Sequence, residues 1–177
     1  MTDCVYLGLG SNIGDSASII EEAFHRIALT PQAHLLSVSS LYQTTPVSCI
    51  AQRYFINAAC ALLTTLSPED LYEAIHHIEI TLGKTPKAKN APRLLDIDIL
   101  FFGMQFRQTP EGLCIPHPRW QERLFVLAPL FDLTEQITFP LDHSGHSQTI
   151  DLHAYLKTFP NPHNEHVTLW KKPSIKI

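Results

Sequence analysis

The stretch Leu94–Gly103, LLDIDILFFG, sets two carboxylates into an otherwise apolar run. Successive side chains of a β-strand point to opposite faces, so Asp96 and Asp98 share one side with Leu94 and Leu100, while Leu95, Ile97, Ile99 and Phe101 fill the other. The strand rise places the two acids roughly 6.5 to 7 Å apart at Cα. Two like charges on such a strand are costly unless cations compensate them, and the natural partners are Mg²⁺ or nearby Arg and Lys. The chain just before is basic, with Lys84, Lys87, Lys89 and Arg93, and Arg107, Arg119 and Arg123 follow. This points to carboxylates holding metal ions, metal ions holding phosphates, and basic side chains around the phosphate oxygens. A structural ion pair at a strand end is the competing reading.

Upstream, Val5 to Leu9 reads as an inner strand. Gly8, Gly10 and Gly14 match neither the dinucleotide nor the P-loop spacing, and no P-loop lysine follows. Gly10, Ser11 and Asn12 read as a turn into a helix capped by Asp15 or Ser16, with Ile20, Ala23, Phe24 and Ile27 inward, ended by Thr30 and Pro31. Leu36, Val38, Ser40 and Tyr42 share one face of a second strand. The run YFINAACALLTT fits helix or strand by periodicity; Asn57 would interrupt a helical apolar face, so strand is preferred. Ser67 and Pro68 open a helix with Leu71, Ile75, Ile78 and Leu82 buried and Gly83 at its end.

The loop of residues 84–92, with two prolines and no apolar periodicity, is expected to be mobile. It delivers the chain into the acidic strand and completes βαββαβ, an α+β sandwich of ferredoxin-like arrangement with its helices on one face of a mostly antiparallel sheet. A hairpin around Gln105–Gly112 precedes IPHPRWQERLFVLAPL, where His117 and Arg119 stand at a Pro-flanked helix entry and Leu124, Leu127 and Ala128 form the buried side. A capped helix is expected from Ser147 to about Thr158, and the polar tail from Pro160 is expected to be loosely attached.

At 177 residues the chain has the length of one domain, and no apolar run approaches the span of a bilayer. Its start lacks signal-peptide features, and four cysteines without CxxC spacing read as reduced thiols, so a cytoplasmic protein is expected. The net charge of −4 divides into +3 between Lys84 and Arg123 and −7 elsewhere. A local basic region on an acidic chain favours a small anion in a cleft over a nucleic-acid duplex. The paired histidines lack companion cysteines or an H-E-x-x-H pattern, which argues against zinc, and no nucleophile stands beside an obvious base.

The turn GSN (Gly10–Asn12), the run YQTTP (Tyr42–Pro46), the set Gln52, Phe55 and Asn57, the block APRLLDIDILFFG and IPHPRWQERLFVLAPL occur in one order and spacing. Together, over about residues 4 to 160, they resemble the 6-hydroxymethyl-7,8-dihydropterin pyrophosphokinase family of folate biosynthesis, which moves a pyrophosphoryl group from ATP to a pterin hydroxymethyl. The resemblance implies that Asp96 and Asp98 bind two Mg²⁺ ions that bridge the ATP phosphates. It implies that Asn57 reads the pterin amide edge, that Phe55 and Phe125 sandwich the ring, and that Thr44, Thr45 and Val47 line the pocket. For ATP it implies phosphate contacts from Arg93, His117 and Arg123, nucleoside neighbours in Glu79 and Ile99, and a loop cation in Lys84.

No general base is assigned, since metal ligation and assistance to the hydroxyl are equally open to Asp96. The basic loop is one residue shorter than in familiar members and has Pro86 where an arginine often stands, leaving Lys87 or Lys89 as substitutes. By the resemblance, residues 1–160 form the pyrophosphokinase domain and 161–177 a loosely packed tail, with room for a fused dihydropteroate synthase beyond. The expected partners are ATP and the dihydropterin, without nucleic acid or membrane. The alternatives are another Mg-ATP-dependent transferase on the same fold and an RNA-binding ferredoxin-like module, which the absent RNP aromatic motif disfavours.

Overall fold

The strand β1 (Asp3–Ser11) alternates by bulk: Val5, Leu7 and Leu9 are buried on one face, while Gly8 and Gly10 leave the other bare. The computed structural model describes residues 1–46, 52–84, 92–110 and 112–175. In it β1 is flanked by antiparallel β4 (Phe55–Thr64) and β5 (Asp96–Phe102). Both β2 (Ala33–Val38) and β3 (Leu41–Thr44) pair with β4, as one strand broken at Ser39 and Ser40. Ser39 repairs the break: its N–H donates to Ala59 O (2.9 Å) and its hydroxyl accepts from Ala59 N (2.8 Å). The sheet order is β10–β3–β4–β1–β5, with β2 also on β4 and β10 (Val167–Lys171) at the edge.

One face is covered by α1 (Ser16–Ala28) and α2 (Pro68–Thr81), whose apolar stripes meet Val5, Leu7, Ile97 and Ile99 in the larger core. Each helix starts where its cap dictates: Asp15 accepts from Ser18 N (3.2 Å), and Ser67 accepts from Asp70 N (3.0 Å) ahead of Pro68. Gly83 takes φ +100° to leave α2, where a Cβ would meet Leu94 at 2.9 Å.

The other face carries an aromatic core of Phe101, Trp120 and Phe139. It is closed by α3 (Leu124–Phe131), α4 (Leu152–Lys157) and a hairpin of β8 (Gln136–Pro140) and β9 (Ser147–Asp151). A two-residue ribbon, β6 (Arg107–Gln108) with β7 (Cys114–Ile115), fills the hairpin expected after Gly103.

Several expectations change. Leu35 and Leu41 are buried and Leu36 is 42% exposed, because β2 presents the opposite face and the break at Ser39 resets its alternation. In β5 the register slips between Tyr6 and Leu7, leaving Leu100 as an extra residue, so Phe102 rather than Phe101 joins Ile97 and Ile99. The buried side of α3 is Val126, Leu127 and Leu130 with Pro129, one step round from the expected stripe. Ser147–Asp151 is a strand, and only Leu152–Lys157 is helical, capped by Asp151 on Ala154 N (2.8 Å). The tail is not loose over Val167–Lys171, which pair with β3. Most of the loop expected to be mobile, residues 85–91, lies outside the described residues.

Candidate active site

A cleft of about 550 Å³ opens on the α3 side of the sheet and runs to the C-terminal half of α2. Its floor follows from β1. Asp96 pairs with Gly10 and Gly10 with Asn57; Asp98 pairs with Gly8 and Gly8 with Ala59. Directly paired residues share a face, so two bare glycines separate the acids from Asn57 and Ala59, about 10 Å apart at twice the strand spacing. A Cβ on Gly10 would stand 2.8 Å from Asn57 Oδ1.

At the far side of the floor, Asn57 is buried and its Nδ2 donates to Thr44 Oγ1 (2.7 Å), which fixes the amide orientation. Phe55, Thr45 and Pro46 continue this wall from β3 and β4, and Phe125 faces it from the first turn of α3. The guanidinium of Arg123 lies 5.3 Å from the Phe125 ring centroid.

At the acidic end, Glu79 is almost fully buried yet satisfied: Oε1 accepts from Ile97 N (2.7 Å), and Oε2 meets Lys84 Nζ (2.7 Å) and His76 Nδ1 (3.1 Å). Lys84 also reaches Asp96 Oδ1 (3.1 Å), which Arg93 Nη1 shares (3.0 Å). Burial alone would depress the Lys84 ammonium, but Glu79 and Asp96 outweigh it and its pKa rises, so the cation is secure. The Arg93 main chain is clamped by Asn12, whose Oδ1 accepts from Arg93 N (2.7 Å) and whose N–H donates to Arg93 O (2.9 Å).

Asp98 is exposed to the cleft and makes no hydrogen bond or ion pair among the described residues. Beside it, His117 N donates to Leu100 O (2.9 Å), so the extra residue of β5 anchors the histidine. Its Nδ1 accepts from Arg119 N (3.2 Å), leaving Nε2–H as a donor. Burial pushes the His117 pKa down, with Arg119 and Arg123 adding to the effect and Asp98 opposing it. Burial and Arg119 likewise lower Arg123. Two carboxylates on one strand face, one of them unengaged, form an oxygen donor set suited to a hard cation that takes its remaining ligands from phosphate and water.

Twelve of the fourteen residues expected from the sequence line this cleft. Ile99 does not, because its side chain is 5% exposed within the larger core, and Val47 lies outside the described residues. Sequence reasoning missed the floor glycines, the Asn12 clamp, and Tyr72 and His76, whose rings stack at 6.4 Å. The signal for the last two was the spacing of Tyr72, His76 and Glu79, which puts them along one stripe of α2.

A paired acid, a surround of cations and a slot between aromatic side chains define a protein that holds a polyanion beside a flat ring. The profile of 7,8-dihydro-6-hydroxymethylpterin-pyrophosphokinase (HPPK) matches residues 6–135. A 2-amino-4-hydroxy-6-hydroxymethyldihydropteridine pyrophosphokinase of Bacillus subtilis is 40% identical over 137 residues, covering 77% of this chain and 81% of that protein. One from Pseudomonas aeruginosa is 39% identical over 140 residues, covering 79% and 86%. Wild-type Plasmodium falciparum HPPK-DHPS, solved with pterin and p-hydroxybenzoate, aligns with TM-score 0.66 at 15% identity over 90% of this chain and 43% of that one, a likeness of fold. The chain belongs to the HPPK family.

Proposed function

We propose that this chain transfers the β,γ-pyrophosphoryl group of ATP to the hydroxymethyl oxygen of 6-hydroxymethyl-7,8-dihydropterin. The hydroxyl oxygen bonds to Pβ, the bridge from Pβ to the α-phosphate breaks, AMP leaves, and the hydroxyl proton is released. The observation that carries this reading is the opposition, across a glycine floor, of Asp96 and Asp98 to Asn57 and Thr44. Family membership narrows the polyanion to ATP and the ring to a pterin.

In this reading Asn57 hydrogen-bonds the pterin edge, Phe55 and Phe125 hold its faces, and Thr44 and Thr45 close the rim. Lys84, Arg93, His117 and Arg123 carry the phosphate oxygens, His117 through Nε2–H. Asp96 and Asp98 would hold two Mg²⁺, which supply charge neutralisation on the phosphates and in-line placement. Lys84, held by Glu79 and Asp96, and Arg93, held by Asp96, stand where they would meet phosphate oxygens beside such ions. Glu79 anchors Lys84 and the start of β5, so its part in nucleoside binding is indirect. The strand order of β2 and β3, β4, β1 and β5, with two helices on one face, supports a ferredoxin-like arrangement. We further place the protein in the cytoplasm; among the described residues no helix is long and apolar enough to cross a membrane. Fusion to a dihydropteroate synthase is tested by the downstream reading frame.

The test is incubation with ATP, Mg²⁺ and the hydroxymethyl dihydropterin. AMP and the pterin pyrophosphate are expected, and ADP or no nucleotide product would overturn the reading. Asp96→Ala and Asp98→Ala should each lower kcat by at least about a hundredfold while thermal unfolding stays cooperative. Aggregation of both variants would favour a purely structural acid pair.

A further inference from the structure

Residues beyond 135 lie outside the family match, yet the segment Asn161–Lys171 returns to the cleft and touches both of its walls. Three consecutive residues make the contacts. Glu165 is 3% exposed, and its Oε2 accepts from Phe125 N (3.0 Å) in the first turn of α3. His166 N donates to Thr45 Oγ1 (3.0 Å), and Thr45 N donates to His166 O (3.1 Å). Val167 pairs with Thr44 in the β10–β3 ladder.

The carboxylate is held in place from behind. Asn161 Oδ1 accepts from Glu165 N (2.8 Å) and Asn161 Nδ2 donates to Glu165 O (3.0 Å), so the main chain at Glu165 is fixed by one side chain. The helix it caps has no cap of its own, since Arg123 at its N-terminus makes no side-chain hydrogen bond there. The far end of α3 is tied separately, through Asp132, to Ser40 N (2.8 Å) and to the Tyr42 hydroxyl (2.8 Å). Glu165 is therefore the tie at the Phe125 end. Its Oε1 is buried without a hydrogen-bond partner among the described residues, an unfavourable arrangement for a residue whose only task is burial.

We propose that the C-terminal segment is a strap that sets the width of the ring slot, and that Glu165 is a positioning residue acting through Phe125. One extended stretch fastens the helix bearing Phe125 and, two residues on, the strand bearing Thr44. The spacing between the stacking face and the opposite wall is thereby fixed by the chain length from Glu165 to Val167. The proposal rests on the pterin reading of this slot.

The test is calorimetric titration of full-length protein with 6-hydroxymethylpterin in the presence of Mg²⁺ and α,β-methylene-ATP, and with the nucleotide analogue alone. Glu165→Ala should weaken pterin binding at least tenfold and leave nucleotide binding within about threefold. Glu165→Gln, whose amide oxygen still accepts from Phe125 N, should restore pterin affinity to within about threefold of wild type. Steady-state kinetics should show the same split, a raised KM for pterin with a smaller change in kcat. Should Glu165→Ala fail to fold, Asn161→Ala carries the same expectation through the loosened Glu165 main chain. Unchanged pterin affinity in the soluble variant, or equal loss for both ligands, overturns the strap. A wild-type protein that binds no pterin overturns the functional reading itself.

Discussion

At Gly10 a missing side chain matters more than many that are present. It sits between Asp96 and Asn57 in the ladder, and any Cβ there collides with the Asn57 amide oxygen. Gly10→Ala should swing Asn57 off Thr44 and weaken binding of 6-hydroxymethylpterin by at least tenfold, about 1.4 kcal/mol, while α,β-methylene-ATP binds as before. Calorimetry checks this, and equal pterin affinity in the variant would show that the floor tolerates a methyl group. Asp96, Asp98 and Asn57 were legible in the sequence because their types restrict what they do, two acids on an apolar strand and an asparagine in an apolar run, whereas the ring-facing roles of Phe55 and Phe125 came only with the family resemblance. Gly10 was legible only as a turn former, and Gly8 only as part of a spacing that fits no nucleotide motif, since a glycine carries no mark that distinguishes a bend from a close approach. Asn12 was hidden for another reason: its hydrogen bonds to Arg93 span 81 positions and exist only once the sheet has formed.

At the scale of elements, α3 depends on a cap delivered from 40 residues downstream. Burial holds the Glu165 carboxyl above its ordinary value of 4.5, opposed by the Phe125 and Leu124 N–H groups and by His163 and Arg123. A carboxyl whose pKa is raised on folding stabilises most below its unfolded value, and that contribution is lost as the pH climbs through the folded one. Glu165→Gln does not ionise, so its Tm relative to wild type should rise between about pH 4 and pH 8. A difference independent of pH would mean that the folded and unfolded values coincide. The elements themselves divide into those with local signals and those without. The N-capped helices α1 and α2 and the strand β4 could be read, the last because Asn57 would interrupt a helical apolar face. Ser147–Asp151 was mistaken for the start of α4, because Ser147 and Asp151 are both acceptable caps and only pairing with β8 decides between them. The edge strand Val167–Lys171, VTLWK, was missed because it follows the polar run from Pro160 and its apolar residues stay largely exposed, so that only pairing with β3 makes it a strand.

For the molecule as a whole, the sheet separates two cores, and the second carries α3 and hence Phe125 and Arg123. Phe101 is the hub of that core, with Tyr6, Trp120 and Phe139 around it at centroid distances of 6.3, 4.9 and 5.8 Å. Phe101→Ala should cost about 3–5 kcal/mol, lowering Tm by roughly 6–20 °C in a scanning calorimeter. A smaller change would mean that the aromatic cluster closes over the gap.

The unpaired Leu100 gives this strand an arithmetic of its own. Before it, outward positions meet solvent and ligand; after it, the same parity meets a different layer. Gaining a residue between Asp98 and Phe102 would exchange Phe101 and Phe102 between the two cores, whereas losing Leu100 would restore the regular ladder with β1 and leave both where they are, in neither case altering a chemical group at the acids. A strand shortened here should therefore keep its pairing where a lengthened one does not.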